Sequence, residues 1–498
     1  MKHQVYNPYL PFWETIPDAE PHVFGDRLYI YGSHDALGGE SFCVQDYVCW
    51  SAPVDDLSDW KYEGVIYKKE QDPINGAAYA GKLPEYQLAP WDEEGKLIMQ
   101  APDVAQGPDG RFYLYYALGG VNVISVAVSD SPAGPFSFLE YVRYENQSVP
   151  TEGNMFDPAI YCDETGNYLY YGFAPFLGHE FNQREAQWAM MMKLADDMHT
   201  VISKPVRIVP GQDAAKGTGF EEHPFFEASS IRKYGKKYYF VYSSSQVHEL
   251  CYAISDSPSG PFQYQGVLVS NGDIGFEGNQ MPVNYMGNNH GGLVEVKGKY
   301  YIFWHRQTHG TSFSRQGCAE EVQMLSDGTI LQSEITSCGL NGGPLRAAGR
   351  YPAYIACHLT QGEREKVDKV LFWMNPDDKP ELPEEWPYIT EEPDKEGEHG
   401  LKPFINNMRE GTIAGFKYFL FSEENMIEAE LRGSGEVVVK IDSPEGKEMA
   451  RIQSDGKGWK EYQTEFAYIT GKHALYFVVE YGTVDFSSFK LWNTELKK

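Results

Sequence analysis

Five times along this chain a tyrosine-rich apolar strand follows a turn, and a polar residue stands roughly ten to twelve positions upstream of the leading tyrosine. The strands read GDRLYIYGS (25–33), DGRFYLYYA (109–117), TGNYLYYG (165–172), GKKYYFVYS (235–243) and GKYYIFWH (298–305). The polar residues are Asp18, Asp103, Asp157, Glu227 and His290. One β unit cannot bury its own apolar face and must stack on its neighbours, so this recurrence predicts a propeller or a solenoid. A constant offset puts the same position of every blade around one axis, where the five residues should converge. Four of them are carboxylic acids. Like charges crowded into one pocket drive each other's ionisation apart, which is how acid and base roles are divided at a single pH.

A second echo lies inside the first. VAVSDSPAGPFSF (126–138) and YAISDSPSGPFQY (252–264) share the core SDSP-x-GPF, and SAPVDDLSDWKYEG (51–64) is a divergent relative. Proline cannot donate to a strand ladder, so a strand running into Ser-Pro and Gly-Pro ends in a turn. These copies read as the outer hairpins of blades. Leading tyrosines are spaced near seventy residues apart on average, longer than the ~40–45 of a typical propeller repeat. Long loops must therefore sit between strands, at the end of a propeller where specificity usually lies.

The character changes after LNGGPLRAAGR. Residues 375–400 are rich in proline and acid and read as a long loop, and from Phe404 alternating segments such as GFKYFLF, GEVVVKIDS and HALYFVVEYG return. Short strands at this spacing predict an antiparallel sandwich. The expected fold is all-β: a five-bladed β-propeller over residues 1–345, then a β-sandwich of jelly-roll type over 346–498.

The formal charge of −29, with 42 Lys+Arg against 71 Asp+Glu, argues against a polyanionic partner, since nucleic acid needs a clustered basic face. A neutral sugar suits this surface, and aromatic side chains at 14 % of residues suit both strands and sugar stacking. No run approaches the ~20 apolar residues of a membrane span. The N-terminus lacks the apolar stretch of a secretory signal, and seven cysteines without a paired pattern read as reduced thiols. The expectation is a cytoplasmic protein with no membrane or nucleic-acid partner, its oligomeric state open.

Transfer of a glycosyl group to water needs two carboxyl groups on opposite sides of a sugar, one protonated and one ionised. Asp18 lies in ETIPDAEPHVFGD between two prolines, Asp157 in GNMFDPAIYCDETG before a proline, and Glu227 in EEHPFFEASSIRK beside two phenylalanines. Apolar surroundings raise a carboxyl pKa, which favours Glu227 as proton donor and makes Phe226 a candidate sugar contact. An Asp beside proline can also simply cap a turn, and Asp103 in APDVAQGPDG is a cap or a substrate-orienting group. His290 could be a core histidine, an acid/base group or a metal ligand. Arg315, which follows the last inner strand in SFSRQG, would pair with an axial carboxylate or a sugar hydroxyl if buried.

On these residues the first 345 positions resemble glycoside hydrolase family 43: NPYLPFWETIPDAEPHVFGDRLYIYGSHD, APDVAQGPDGRFYLYYA, FDPAIY, FEASSIRK and NHGGLVEVKGKYYIFWHRQ follow that family's order. The resemblance implies a five-bladed propeller and single-displacement hydrolysis with inversion. It implies Asp18 as general base, Glu227 as general acid and Asp157 as the residue that tunes and orients the acid. It also implies His290 near the axis on a water or a structural calcium ion, Arg315 near the base or sugar, and no cofactor for the chemistry. Gln100 stands where many relatives carry an aromatic. The last ~145 residues resemble a family 6 carbohydrate-binding module, with Trp459 and Tyr462 as candidates for a sugar platform. The implied activity is exo-acting release of terminal α-L-arabinofuranosyl or β-D-xylosyl units from arabinoxylan and xylo-oligosaccharides. Alternatives are a principal β-xylosidase, a fructan hydrolase, which would need a motif like NDPNG where IPDAEP stands, and a lectin-like propeller, which would lack one of the acids.

Overall fold

The computed structural model describes residues 4–75, 92, 94–179, 182, 184–361 and 386–494. Its first 322 residues form five antiparallel meanders arranged as the blades of a propeller. Blade 1 runs Glu20–Phe24, Arg27–Tyr31, Tyr47–Pro53 and Lys61–Tyr67. Blade 2 runs Asp103–Gln106, Phe112–Ala117, Ile124–Ser129 and Ser137–Tyr141. Blade 3 has Ala159–Asp163, Gly166–Tyr171 and Trp188–Leu194, with Val206–Pro210 on its outer edge. Blade 4 runs Phe225–Tyr234, Lys237–Ser244, Leu250–Ser255 and Gln263–Val269. Blade 5 has Leu293–Val296, Lys299–Gln307 and Arg315–Val322.

The N-terminal segment covers the outer strand of blade 5. Tyr9 N–H donates to Gly317 O at 3.3 Å, and the Asn7 side chain brackets Ala319, donating to its carbonyl at 3.0 Å and accepting from its N–H at 2.9 Å. Beginning and end of the propeller are thereby joined without a shared strand.

Buried tyrosines tie one blade to the next. Tyr31 donates its hydroxyl to Pro132 O at 2.7 Å, Tyr115 to Met198 O at 2.6 Å, and Tyr170 to Pro258 O at 2.7 Å. Pro132 and Pro258 are the prolines of the two SDSP turns, so the two echoes in the sequence are partners in one contact. A buried phenol needs an acceptor and a turn carbonyl needs a donor. In these three contacts one blade supplies the phenol and the next supplies the carbonyl.

The remaining chain forms a second body of strand. Its strands include Leu345–Arg346, His358–Thr360, Tyr388–Pro393, Leu401–Arg409, Ile413–Phe421 and three long ones, Met426–Ile441, Glu448–Glu465 and Gly471–Trp492. They bury a core of phenylalanines, among them Phe416, Phe419, Phe477, Phe486 and Phe489, as a sandwich does. The acidic stretch expected to be a loop needs correction. Residues 375–385 lie outside the described residues, but Tyr388–Pro393 is a strand paired with Leu401–Arg409. Its single proline stands at the last position, where a missing N–H costs the ladder least. No α-helix occurs among the described residues.

The two bodies share buried contacts. Phe12 and Cys338 pack into the sandwich core, and the buried Arg306 guanidinium of blade 5 donates to Tyr354 O at 2.7 Å and Ala356 O at 3.1 Å.

Candidate active site

Pairing registers place the expected residues on the innermost strands. With Tyr29 opposite His22 and Tyr168 opposite Tyr161, Asp18 and Asp157 lead their strands from equivalent positions. Asp103 does not join them. It pairs with Tyr115 as Glu20 pairs with Tyr31, so it sits two residues deeper along the axis. Its carboxylate faces His22 Nε2 at 2.6 Å and accepts from Ile160 N–H at 2.8 Å. Glu20, Ser230 and Arg232 share that deeper layer: Glu20 Oε2 accepts from Arg232 Nη2 at 2.7 Å and Ser230 Oγ at 3.0 Å. Asp103 thus belongs to the polar packing beneath the pocket.

Glu227 reaches the mouth through a bulge. The blade 4 ladder shifts register between Phe225 and Glu227 and again between Glu227 and Ser230, which re-aims the intervening side chains. Ala228, next in the chain, has φ 66°, a left-handed conformation that a residue with Cβ adopts only when its surroundings impose it. The imposing contact is its N–H, which donates to Asp157 Oδ2 at 2.8 Å. Asp18 and Asp157 are left-handed too, at φ 58° and 44°. Phe226 points away from the mouth, edge-on to Phe173 at 5.2 Å and fully buried. It packs behind Glu227 and offers no surface to a sugar.

Arg315 fixes Asp18. Buried to 2 % exposure, its guanidinium grips Asp35 with Nε to Oδ2 at 2.8 Å and Nη2 to Oδ1 at 3.0 Å, leaving Nη1 for Asp18 Oδ1 at 3.0 Å. Burial pushes the Asp18 carboxyl up, but the charges of Arg315 and His290 outweigh it and hold Asp18 below its ordinary value. His305 is neutral: burial and the neighbouring Arg315 press it down to about 3. Its Nδ1 accepts from the Asp18 N–H at 3.2 Å while Nε2 faces Asn288 O at 2.9 Å, which fixes the proton on Nε2.

The other two acids move the opposite way. Burial, then the charge of Asp157, raises Glu227 well above the usual carboxyl range. Burial also raises Asp157, but His290 and the Ala228 N–H favour its ionised form. Of this coupled pair Glu227 is held higher, so Asp157 ionises first. The pocket accordingly holds one firmly ionised carboxylate, one acid kept protonated, and a third carboxyl between them.

His290 stands between two carboxylates, Nδ1 at 3.6 Å from Asp157 Oδ2 and Nε2 at 3.8 Å from Glu20 Oε1. Burial lowers its pKa, but Asp157 and Glu20 raise it further, to about 9. Glu20 Oε1 and His290 Nε2 are buried without a hydrogen-bond partner. Glu20, His22 and Asp103 bring their ligand atoms within 4.8 Å of one another, so a calcium ion, which takes six to eight oxygens, would find two carboxylates in this layer and water would have to complete its shell.

Residues outside the expected set complete the site. Asp35 and His305 are described above; Phe42 lies under the Arg315 guanidinium at 4.7 Å and edge-on to Phe313 at 4.6 Å. Phe156 and Phe173, 5.1 Å apart, stand on the Asp157 side. These half-buried rings offer flat surfaces that Gln100 does not. The Ser-His-Asp run that ends at Asp35 is the one hint the sequence held, because a buried guanidinium requires a carboxylate.

In the sandwich, Trp459 is not an open platform. Arg432 and Lys402 stand over its ring at 4.5 and 5.0 Å, and Phe404 meets it edge-on at 5.3 Å. Tyr462 turns its hydroxyl to Asp455 Oδ1 at 3.1 Å.

Relatives share this architecture. The glycosyl hydrolases family 43 profile matches residues 14–330. A xylosidase/arabinosidase of Thermoclostridium stercorarium is 45 % identical over 503 residues, covering 99 % of each chain. Among solved structures, the GH43_1 enzyme of Xanthomonas citri complexed with xylose superposes with a TM-score of 0.51 at 25 % identity, over 66 % of this chain and 93 % of that one. An arabinoxylan arabinofuranohydrolase of Bacillus subtilis, in complex with cellotetraose, shares the fold over 98 % of this chain and 97 % of its own, with a TM-score of 0.50 and 21 % identity. With the family profile matched over the propeller and a near-half-identical relative matched end to end, this chain belongs to the glycosyl hydrolases of family 43.

Proposed function

We propose that the protein is an inverting exo-glycosidase that removes terminal α-L-arabinofuranosyl units, with β-D-xylosyl units as a second substrate, from arabinoxylan-derived oligosaccharides. The observation that carries this reading is the split of ionisation across the pocket: Asp18 held ionised by Arg315, Glu227 held protonated by burial and by Asp157. In the proposed reaction Asp18 takes a proton from water as the water attacks the anomeric carbon. Glu227 gives its proton to the departing glycosidic oxygen, and the bond breaks with inversion in one displacement. Asp157 fixes the acid strand through the Ala228 N–H and, by its charge, keeps the proton on Glu227. Carboxyl groups alone balance the protons, so the chemistry calls for no cofactor.

The pentose preference rests on the relatives' names, xylosidase/arabinosidase in Thermoclostridium stercorarium and in Bacteroides ovatus. We place the enzyme in the cytoplasm, a reading supported by seven free cysteines, six of them buried. The test is kcat/KM on nitrophenyl α-L-arabinofuranoside, β-D-xyloside and β-D-fructofuranoside, with arabinoxylan oligosaccharides alongside. Turnover of the first two and none of the third is expected. Turnover of neither pentoside would overturn the reading.

A further inference from the structure

We infer that the sandwich is a working part of the active site: Glu391, through His309, holds the loop that carries Phe313 and leads into Arg315, and so positions the aromatic wall on the base side of the sugar pocket. The inference rests on the hydrolase reading above and adds to it a positioning residue from the second body.

His309 is anchored to the strand Tyr388–Pro393 twice. Its Nε2 lies 2.6 Å from Glu391 Oε2, and its backbone N–H donates to Ile389 O at 2.8 Å. Both side chains of the pair are largely buried, at 11 and 18 % exposure, where a charge-assisted bond is short and strong. The His309 Nδ1 lies 2.9 Å from the Thr308 hydroxyl and 3.2 Å from the Ser314 hydroxyl, and the Ser314 hydroxyl accepts from the Gly38 N–H at 3.0 Å. Thr308 closes the neck of the loop, donating from its N–H and its hydroxyl to Ser314 O, each at 2.9 Å.

The same ring packs on the facing loop. Gly38 has φ +64°, and a Cβ there would meet the His309 ring at 3.3 Å, so a side chain at this position would both strain the backbone and crowd the ring. His309 is itself left-handed at φ 61°, a conformation that persists where surrounding contacts over-determine it. Five residues beyond Gly38 the N–H of Cys43 donates to Asp35 Oδ1 at 2.9 Å, and Phe42 meets both Phe313 and the Arg315 guanidinium. Arg315 then reaches Asp18. The chain of contact from sandwich to base is therefore continuous: Glu391, His309, Ser314 and Gly38, then the Phe42–Phe313 pair and Arg315.

Such a clamp acts on where the sugar lies and leaves the proton inventory untouched. Glu391→Ala should raise KM on nitrophenyl arabinofuranoside on the order of 10-fold, the usual weight of a charged hydrogen bond, with kcat reduced much less. Glu391→Gln keeps an acceptor and should recover most of the loss. His309→Ala should cost about the same, and adding Glu391→Ala to it should cost nothing more, because the two act in series. Glu334→Gln is the control: it loosens the seam elsewhere, at Lys417 Nζ (2.8 Å) and Tyr418 OH (2.7 Å), and should leave KM alone. Should Glu391→Ala not fold, Glu391→Asp shortens the reach and reads the same change in KM. A KM within twofold of wild type in folded Glu391 variants, additive losses in the double variant, or an equal rise in Glu334→Gln would overturn the inference. A wild-type enzyme inactive on every glycoside would instead overturn the function itself.

Discussion

In the proposed mechanism Asp157 governs a reaction that it does not enter. Its charge is the largest electrostatic cause that lifts Glu227, after burial and ahead of Asp18. Asp157→Asn removes that charge yet keeps an oxygen for the Ala228 N–H. The pKa of Glu227 should therefore fall, and the alkaline limb of kcat/KM, which reports the acid in its required protonated form, should move toward lower pH by on the order of one unit. The acid limb should stay, since it reports Asp18, whose partner is Arg315. A kcat/KM profile against pH for wild type and Asp157→Asn decides it. An unmoved alkaline limb with only a raised KM would make Asp157 a sugar-positioning residue.

At the scale of the element, the bulge in blade 4 does the aiming. Ala228 at φ 66° is tolerable for alanine, but a β-branched side chain there is a true outlier. Ala228→Val should cost about 1–3 kcal/mol of stability and lower kcat by displacing the N–H that links the acid strand to Asp157. Ala228→Gly should keep both within about 1 kcal/mol. Urea unfolding with kcat on one aryl glycoside reads both quantities, and a Val variant indistinguishable from wild type would mean the bulge is not imposed. Sequence spacing found the inner strands because period and turn chemistry are local. It could not see register: Asp103 and Asp18 have nearly equal offsets, yet pairing with Tyr115 puts Asp103 at the level of Glu20. Nor could it see Asp35, His305 or Phe42, which lie on loops or strand ends and meet the site only after the blades close.

At the scale of the whole molecule, the two bodies depend on each other. Arg306 is buried at 7 % exposure, and its charge is met by Tyr354 O and Ala356 O, both beyond the propeller. A chain ended after Gly343 would strip those acceptors and expose Phe12 and Cys338. Losing that packing should destabilise the truncated propeller, which should melt several degrees lower or fail to fold. Thermal unfolding of chains 1–343 and 1–498 tests this, and equal midpoints would contradict it. Composition and alternation foretold a second β body. They carry no information on which faces meet, because the seam is built from backbone carbonyls and isolated side chains with no period.

A single displacement requires Asp18 and Glu227 to act from opposite sides of the anomeric carbon. Proton NMR of the first sugar released from an aryl α-L-arabinofuranoside or β-D-xyloside, recorded before mutarotation, reads this directly. Inversion gives β-arabinose or α-xylose as the first anomer, as the account predicts. The retained anomer would require a covalent intermediate and would contradict the assignment of Asp18 as a base acting on water.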